Sequence, residues 1–94
     1  MQDDQFEWVD EKAETNEEKH SVSFDYAAEL LLGDYVAFRA FVKGETRFKA
    51  LARDRGEYFV VVFAEREGRI RIISARHARE KEASSYESYF NRGI

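Results

Sequence analysis

EYFVVVFAEREGRIRIISAR, residues Glu57 to Arg76, is the stretch that decides the fold of this chain. Tyr58 to Ala64 is almost wholly apolar and β-branched or aromatic, which suits a strand buried on both faces. Glu67-Gly68 offers a tight turn, and Arg69 to Ala75 returns with alternating Arg and Ile, the two-residue period of a strand with one polar face. Thr46 to Arg53 leads in through a second tight turn near Arg55-Gly56. The stretch therefore predicts a three-stranded antiparallel meander with Tyr58–Ala64 in its centre.

Strand parity sharpens this expectation. If both turns have an even number of loop residues, residues opposite one another share a face of the sheet. One face then holds Phe48, Ala50, Ala52, Phe59, Val61, Phe63, Ile70 and Ile72, a core face for helices to cover. The other holds Arg47, Lys49, Arg53, Arg69 and Arg71, with Tyr58, Val60, Val62 and Ile73 between them and Arg66 near the turn. Guanidinium groups interleaved with aromatic and apolar surface suit phosphate contacts combined with base stacking. A solvated outer face with charges spread for solubility is the competing explanation. The same parity directs Glu65, Ser74 and Arg76 toward the core face.

Outward from the meander, Gln5 to Val9 alternates Phe6 and Trp8 with polar neighbours, the pattern of a short edge strand. Asp10 suits an N-cap for a polar helix over Glu11–Lys19, in which Val9, Ala13, Asn16 and His20 form the stripe that faces the body. Ser21 breaks that helix and Ser23 caps a second, Phe24–Leu32, with Phe24, Ala27, Ala28 and Leu31 as its core stripe and Gly33 as its C′ residue. Tyr35–Val42 reads as a strand and Lys43-Gly44 as a turn. A last helix begins at His77 or Ala78 with Ala83, Tyr86 and Phe90 on one side, and Asn91–Ile94 reads as a frayed tail. The expected architecture is α+β: an antiparallel sheet of the meander plus one or two further strands, N-terminal helices on one face, and a C-terminal helix.

Composition limits the function classes. Ninety-four residues form one domain, 1–94, able to bury a modest core. With no Cys there is no disulfide framework, thiolate zinc site or cysteine nucleophile. Two histidines and carboxylates without ligand spacing make no metal site, and no glycine-rich phosphate loop appears. The acidic N-terminus is unlike a secretory signal, and the longest apolar run is too short to cross a bilayer, so the expected setting is the cytoplasm, away from membranes. The net charge of −4 is unevenly spread. Residues 1–38 carry two basic and eleven acidic side chains, whereas residues 39–81 carry twelve basic and six acidic ones. A basic middle behind an acidic front points to a polyanion or acidic partner meeting the sheet.

FEWVDEKAETNEEKHSVSF (Phe6–Phe24), the AAELL helix, VVVFAEREGRIRIISARHA (Val60–Ala78) and EKEASSYE (Glu80–Glu87) together resemble the BrnT toxins of bacterial type II toxin–antitoxin systems, ribonucleases of RelE-like fold. The KH-x-VSF segment and ER…RIRIISAR-x-A at this spacing carry the resemblance. It implies cleavage of RNA without a metal or other cofactor, inhibition of translation and growth, neutralisation by a small BrnA-like antitoxin, and contact with operator DNA only through that antitoxin. Two positions depart from the family pattern: Ser21 stands where Gly is usual after KH, and Arg79 where Thr is frequent after ISAR-x-A.

Metal-free cleavage needs a base for the 2′-OH proton, cations for the phosphate, and an acid for the leaving 5′-oxygen. The resemblance carries this chemistry onto Lys19, His20, Glu65, Arg66, Ser74 and Arg76. His20 has the proton affinity for acid or base work and Glu65 shares that candidacy, while Lys19, Arg66 and Arg76 would clamp phosphate. Arg47, Lys49, Arg53, Tyr58, Arg69 and Arg71 would bind the RNA strand. Structural alternatives stand beside these roles: His20 as a hydrogen-bonded body histidine, Glu65 and Arg66 as hairpin-end decoration, Ser74 as a cap into the last helix, and Arg76 as partner of a helix carboxylate. The alternative function is a non-catalytic module that binds the antitoxin and acts as co-repressor.

Overall fold

The computed structural model describes residues 5–91. In chain order the elements are β1 (Phe6–Glu7), α1 (Asp10–His20), α2 (Phe24–Leu32), β2 (Tyr35–Val42), β3 (Glu45–Asp54), β4 (Glu57–Arg66), β5 (Arg69–His77) and α3 (Glu80–Asn91). The strands form one sheet in the order β1-β5-β4-β3-β2, antiparallel except for β1, which runs parallel to β5. This is the α+β architecture expected, with the meander as its centre and two further strands at the edges.

Three tight turns hold the strands in register. Lys43-Gly44, Arg55-Gly56 and Glu67-Gly68 each place two consecutive residues at positive φ, 49° and 78°, 53° and 79°, 52° and 79°. Two positive φ values in a two-residue loop are the signature of the type I′ turn, whose twist matches that of the strands it joins. A Cβ at the Gly of each turn would meet nothing within 4 Å, so backbone conformation and not crowding selects glycine there. The loops are even, and through β3 and most of β4 opposite residues share a face as parity requires: Phe48 opposes Phe63, Ala50 opposes Val61, Ala52 opposes Phe59.

Parity fails at one place, in β5. The register shifts between Val62 and Phe63, so that Phe63 opposes Ile72 while Val62 opposes Ser74, leaving Ile73 as the extra residue of a β-bulge. Ile70 and Ile72 keep the core face. Past the bulge every side chain is on the opposite face from the one strict alternation assigns: Ala75 joins the core, and Ser74 and Arg76 turn to the basic side. The expectation that Ser74 and Arg76 point at the core is corrected by this single inserted residue; Glu65, before the bulge and opposite Ile70, keeps the predicted face.

The main core lies between that face and the first two helices. Phe6, Trp8, Phe24, Ala27, Leu30 and Leu31 pack against Ala50, Ala52, Phe59, Val61, Phe63, Ile72 and Ala75, with Ala28 only partly buried. Trp8 meets Phe24 edge to face at 5.9 Å. Ser23 caps α2 as expected, accepting the amide of Tyr26 at 3.1 Å. The cap of α1 is Val9, without a side-chain bond, and Asp10 is the first helical residue, where it acts on the helix dipole and not as a cap. Ser21 ends α1 at φ 59°. Gly33 closes α2 at φ −99° in extended backbone.

The other face is not bare. Leu51, Val60 and Tyr86 form a second buried cluster, joined by Phe38, Tyr58, Val62 and Ala78, and this cluster is what α3 covers. Val60 is therefore buried on the side away from α1 and α2, so β4 is enclosed on both faces, as its composition predicted. The last helix starts later than expected. His77 still pairs with Phe59, and the Ala78 amide donates to Tyr58 O at 2.9 Å, so strand pairing continues up to the helix entry. Asn91 is the last residue of α3; residues 92–94 and the Phe90 and Asn91 side chains lie outside the described residues. Among the described residues no helix is long and apolar enough to cross a membrane.

Candidate functional site

Register places Arg47, Lys49 and Arg53 of β3, Tyr58, Val62 and Arg66 of β4, and Arg69, Arg71, Ser74 and Arg76 of β5 on one face. The helix α3 divides this face. One part lies beneath it, around Leu51, Val60 and Tyr58. The part toward the Glu67-Gly68 turn lies beyond the second cluster and holds Arg47, Arg66, Arg69 and Arg71. The basic face of the sequence reading thus exists, yet a helix covers some of it.

Most of these cations already hold a carboxylate. Glu7 takes Arg71 at 2.9 Å and Arg69 at 3.3 Å, and Arg69 also donates to Phe6 O at 3.0 Å. These bonds tie β1 to β5. Glu45 takes Arg47 at 2.9 Å; this hydrogen bond, with the nearby charges of Arg66 and Arg71, draws the Glu45 carboxyl below its ordinary range. Glu82 of α3 takes Arg76 through two bonds of 2.8 and 2.9 Å and Lys49 at 2.6 Å. Glu87, one and a half turns on, lies 3.5 Å from Arg53 and accepts the Tyr58 hydroxyl, a bond that raises the phenol's proton affinity. Arg53 also stacks over the Tyr58 ring, 5.6 Å from its centroid. Arg66 is exposed and forms no ion pair with any described residue.

Glu82 is the busiest acceptor. Besides Arg76 and Lys49 it takes the Arg79 amide at 2.8 Å, which closes the first turn of α3. The Arg76 guanidinium, chief among these partners, holds the Glu82 carboxyl far below the usual carboxylate range, and Glu82 in turn raises the affinity of Arg76 for its proton. The foreseen alternative for Arg76, a pair with a helix carboxylate, is present in the structure.

Round the outer edge of β5 lies a cleft of about 400 Å³ between that strand and α1. Lys19, His20, Asn16 and Thr15 line it from the helix, and Ile73 and Ser74 from the bulge. His20 is half-buried and its imidazole makes no hydrogen bond to any described residue. The proposed catalytic residues therefore fall into groups. Lys19, His20 and Ser74 share one cleft; Arg76 sits on the adjoining face, two residues along β5 from Ser74; Arg66 is at the far, open end of that face. Glu65 is exposed at the end of β4 on the opposite face and joins none of them. Among the described residues, no three or more His, Cys, Asp or Glu side chains converge as they would around a metal ion.

Four acidic residues, Glu7, Glu45, Glu82 and Glu87, pair the cations of this face among the described residues, and none was singled out from the chain alone. Glu82 had one local sign, its spacing three residues after Arg79 at a helix start. Glu7 and Glu87 meet their partners across more than two dozen residues of chain, and no local pattern marks them.

Comparison with known families matches residues 8–82 to the family described as ribonuclease toxin, BrnT, of type II toxin–antitoxin system. Neither the curated proteins nor the solved structures contain a match to the chain.

Proposed function

The chain belongs to the BrnT family of ribonuclease toxins of type II toxin–antitoxin systems, and on that footing we propose that it cleaves RNA without a metal ion, inhibits translation, and is neutralised by a BrnA-like antitoxin. Family membership implies an antitoxin partner. In this proposal residues 1–94 act as one domain in the cytoplasm, and operator DNA is met only through that antitoxin.

The observation that carries the proposal is the bulge at Ile73. It puts Ser74 and Arg76 on the face of Arg47, Lys49, Arg66, Arg69 and Arg71, and keeps Ser74 against the cleft of Lys19 and His20. The RNA strand lies on the uncovered end of the basic face, its phosphates on Arg47, Arg66, Arg69 and Arg71. Arg53 stacked on Tyr58 lies at the other end of the face, where Tyr86 and Glu87 of α3 pack on the pair, so these two residues stand outside the path of that strand. At the cleft, one protonatable group removes the 2′-OH proton as the 2′-oxygen attacks phosphorus, and another returns a proton to the departing 5′-oxygen, leaving a 2′,3′-cyclic phosphate. His20, with no internal partner among the described residues, takes one of these parts. Lys19 and Arg76 neutralise the phosphorane and Ser74 orients it. Glu65, on the other face, has no step in this scheme.

The test is cleavage of a defined RNA by purified protein in EDTA. Wild type should cut, and His20→Ala, Arg66→Ala and Arg76→Ala should lose activity and toxicity while remaining folded. Cleavage that EDTA abolishes, or that all three variants retain, would sink the proposal.

A second reading has its own observation. Lys49, Arg53 and Arg76 are engaged by α3 carboxylates, so the face accepts an acidic amphipathic helix. An acidic segment of an antitoxin would be held by the same chemistry, and a protein that binds such a segment but leaves RNA intact would be a co-repressor module.

A further inference from the structure

Asn16 is the one buried polar side chain among the described residues, 7% exposed in the interface between α1 and β5. Past Arg71, no strand among the described residues lies on the outer side of β5, since β1 pairs with Ile70 and Arg71. Asn16 fills the place of that strand. Its Nδ2 donates to Ala75 O at 2.8 Å and its Oδ1 accepts the Ala75 amide at 3.2 Å. The second Nδ2 hydrogen goes to Val22 O at 3.0 Å. A side-chain amide thus makes the donor-and-acceptor pair that a neighbouring strand would make, and no polar atom of it is left unsatisfied. Ala75 lies between Ser74 and Arg76, two residues beyond the bulge, where the ladder is locally disrupted and needs another constraint.

We infer that Asn16 is a positioning residue of the ribonuclease site: by holding Ala75 at both backbone groups it fixes where β5 presents Ser74 to the cleft and Arg76 to the basic face. The inference rests on the roles proposed above for Ser74 and Arg76, but the clamp itself exists without RNA. A merely structural Asn16 would lower stability and leave each folded molecule as active as before. A positioning Asn16 changes turnover at constant folded concentration.

Asn16→Asp separates the two. The aspartate keeps the shape, but its ionised carboxylate faces the Ala75 and Val22 carbonyls with no proton to offer. Burial raises its proton affinity, and once protonated it donates to one carbonyl and still accepts from Ala75. Glu11, Lys12, Lys19 and His20 bordering the cleft on α1, and Glu17, Glu29, Asp54, Arg55, Glu57 and His77 around the neighbouring hollow that Val22 lines, are present in both proteins, so the quantity read is the variant-to-wild-type ratio at each pH. Turnover per folded molecule should be lower by about tenfold at pH 8, the scale on which small misplacements act, and the gap should close toward pH 5. KM should change little, because Arg47 and Arg66 lie on other strands and Arg71 lies before the bulge in β5. A ratio of one, or a deficit that pH does not alter, would overturn the inference.

The same variant is read by NMR without RNA. The Ser74 amide and Arg76 Nε–H signals should be displaced at pH 8 and return toward pH 5, with Arg47 Nε–H unmoved; undisplaced signals would overturn the inference. Wild type that leaves RNA uncut would count against the ribonuclease proposal alone, since this second arm does not use cleavage. If Asn16→Asp does not fold, hydrogen exchange of the wild type decides: the Ala75 amide should be as protected as the β4–β5 ladder, and exchange at the rate of an unpaired edge amide would overturn the clamp.

Discussion

Arg76 and Glu82 form a two-bond pair between β5 and α3, at 2.8 and 2.9 Å, with the Glu82 side chain only 12% exposed. The same carboxylate holds Lys49. One side chain therefore seats a helix and masks two cations of the face on which RNA is proposed to lie.

Glu82→Gln should loosen α3 and unmask Lys49 and Arg76. Loss of a partly buried charged acceptor costs about 1–3 kcal/mol. The Glu82 carboxyl is held well below its ordinary range by Arg76, so the folded protein binds this proton less tightly than the unfolded chain. The contribution is complete above the ordinary glutamate value, near pH ~4.3, and is lost as pH falls below it. Urea unfolding of wild type and variant at a series of pH values should show a gap that is widest near neutrality and shrinks below about pH 4. A gap of constant size would show that Glu82 acts by packing instead.

Salt dependence distinguishes the phosphate contacts. Arg66 has no ion pair with a described residue, whereas Arg71 is held by Glu7 at 2.9 Å. Each phosphate contact removed should reduce the slope of log K against log salt by about 0.7 for a single strand. Arg66→Ala should show this full reduction in fluorescence anisotropy, and Arg71→Ala a smaller one, because its charge is already partly spent within the protein. Equal effects, or none from Arg66, would contradict the placement of the strand.

Two glycines should answer oppositely to alanine. Gly56 sits at φ 79° in the β3–β4 turn, where a Cβ costs about 1–2 kcal/mol. Gly33 ends α2 at φ −99° with Leu30 O at 3.7 Å from an added Cβ, an ordinary contact. Gly33→Ala should therefore stabilise by about 0.4–1 kcal/mol through the unfolded chain. Thermal denaturation of the two variants checks both signs.

Tyr26 gives a high-pH signature. Burial, followed by the hydrogen bond it donates to Asp54, pushes its phenol from 10.0 up to about 12. The folded protein holds this proton more tightly than the unfolded chain, so the contribution is complete below pH ~10 and disappears as pH rises through about 12. Absorbance titration near 295 nm should show a late phenolate step that Tyr26→Phe removes. The variant should also lose less stability than wild type over that interval. A Tyr26→Phe protein with the same late step would assign it to another tyrosine.

Much of the fold follows from short-range rules. Apolar Tyr58–Ala64 belongs in the centre of a sheet, X-Gly pairs at 43–44, 55–56 and 67–68 make I′ turns, and Ser23 caps a helix. Each of these depends on residues within a few positions of one another. The basic face was also legible, because the two-residue period of Arg69–Ile72 is intact. The error came at Ser74 and Arg76: Arg-Ile-Arg-Ile-Ile contains the doubled Ile that permits a bulge, but alternation alone does not reveal which Ile is spare.

The sequence by itself determined the strands, the places of their turns and the residue types along each strand, since backbone dihedral preferences and side-chain period are local properties. Only the tertiary structure decided that Ile73 bulges, that Asn16 takes the place of a missing strand, and that Glu7, Glu82 and Glu87 occupy the cations. Those outcomes depend on satisfying buried polar groups and pairing charges between segments as much as 64 residues apart, and such pairings exist only once the chain has closed on itself.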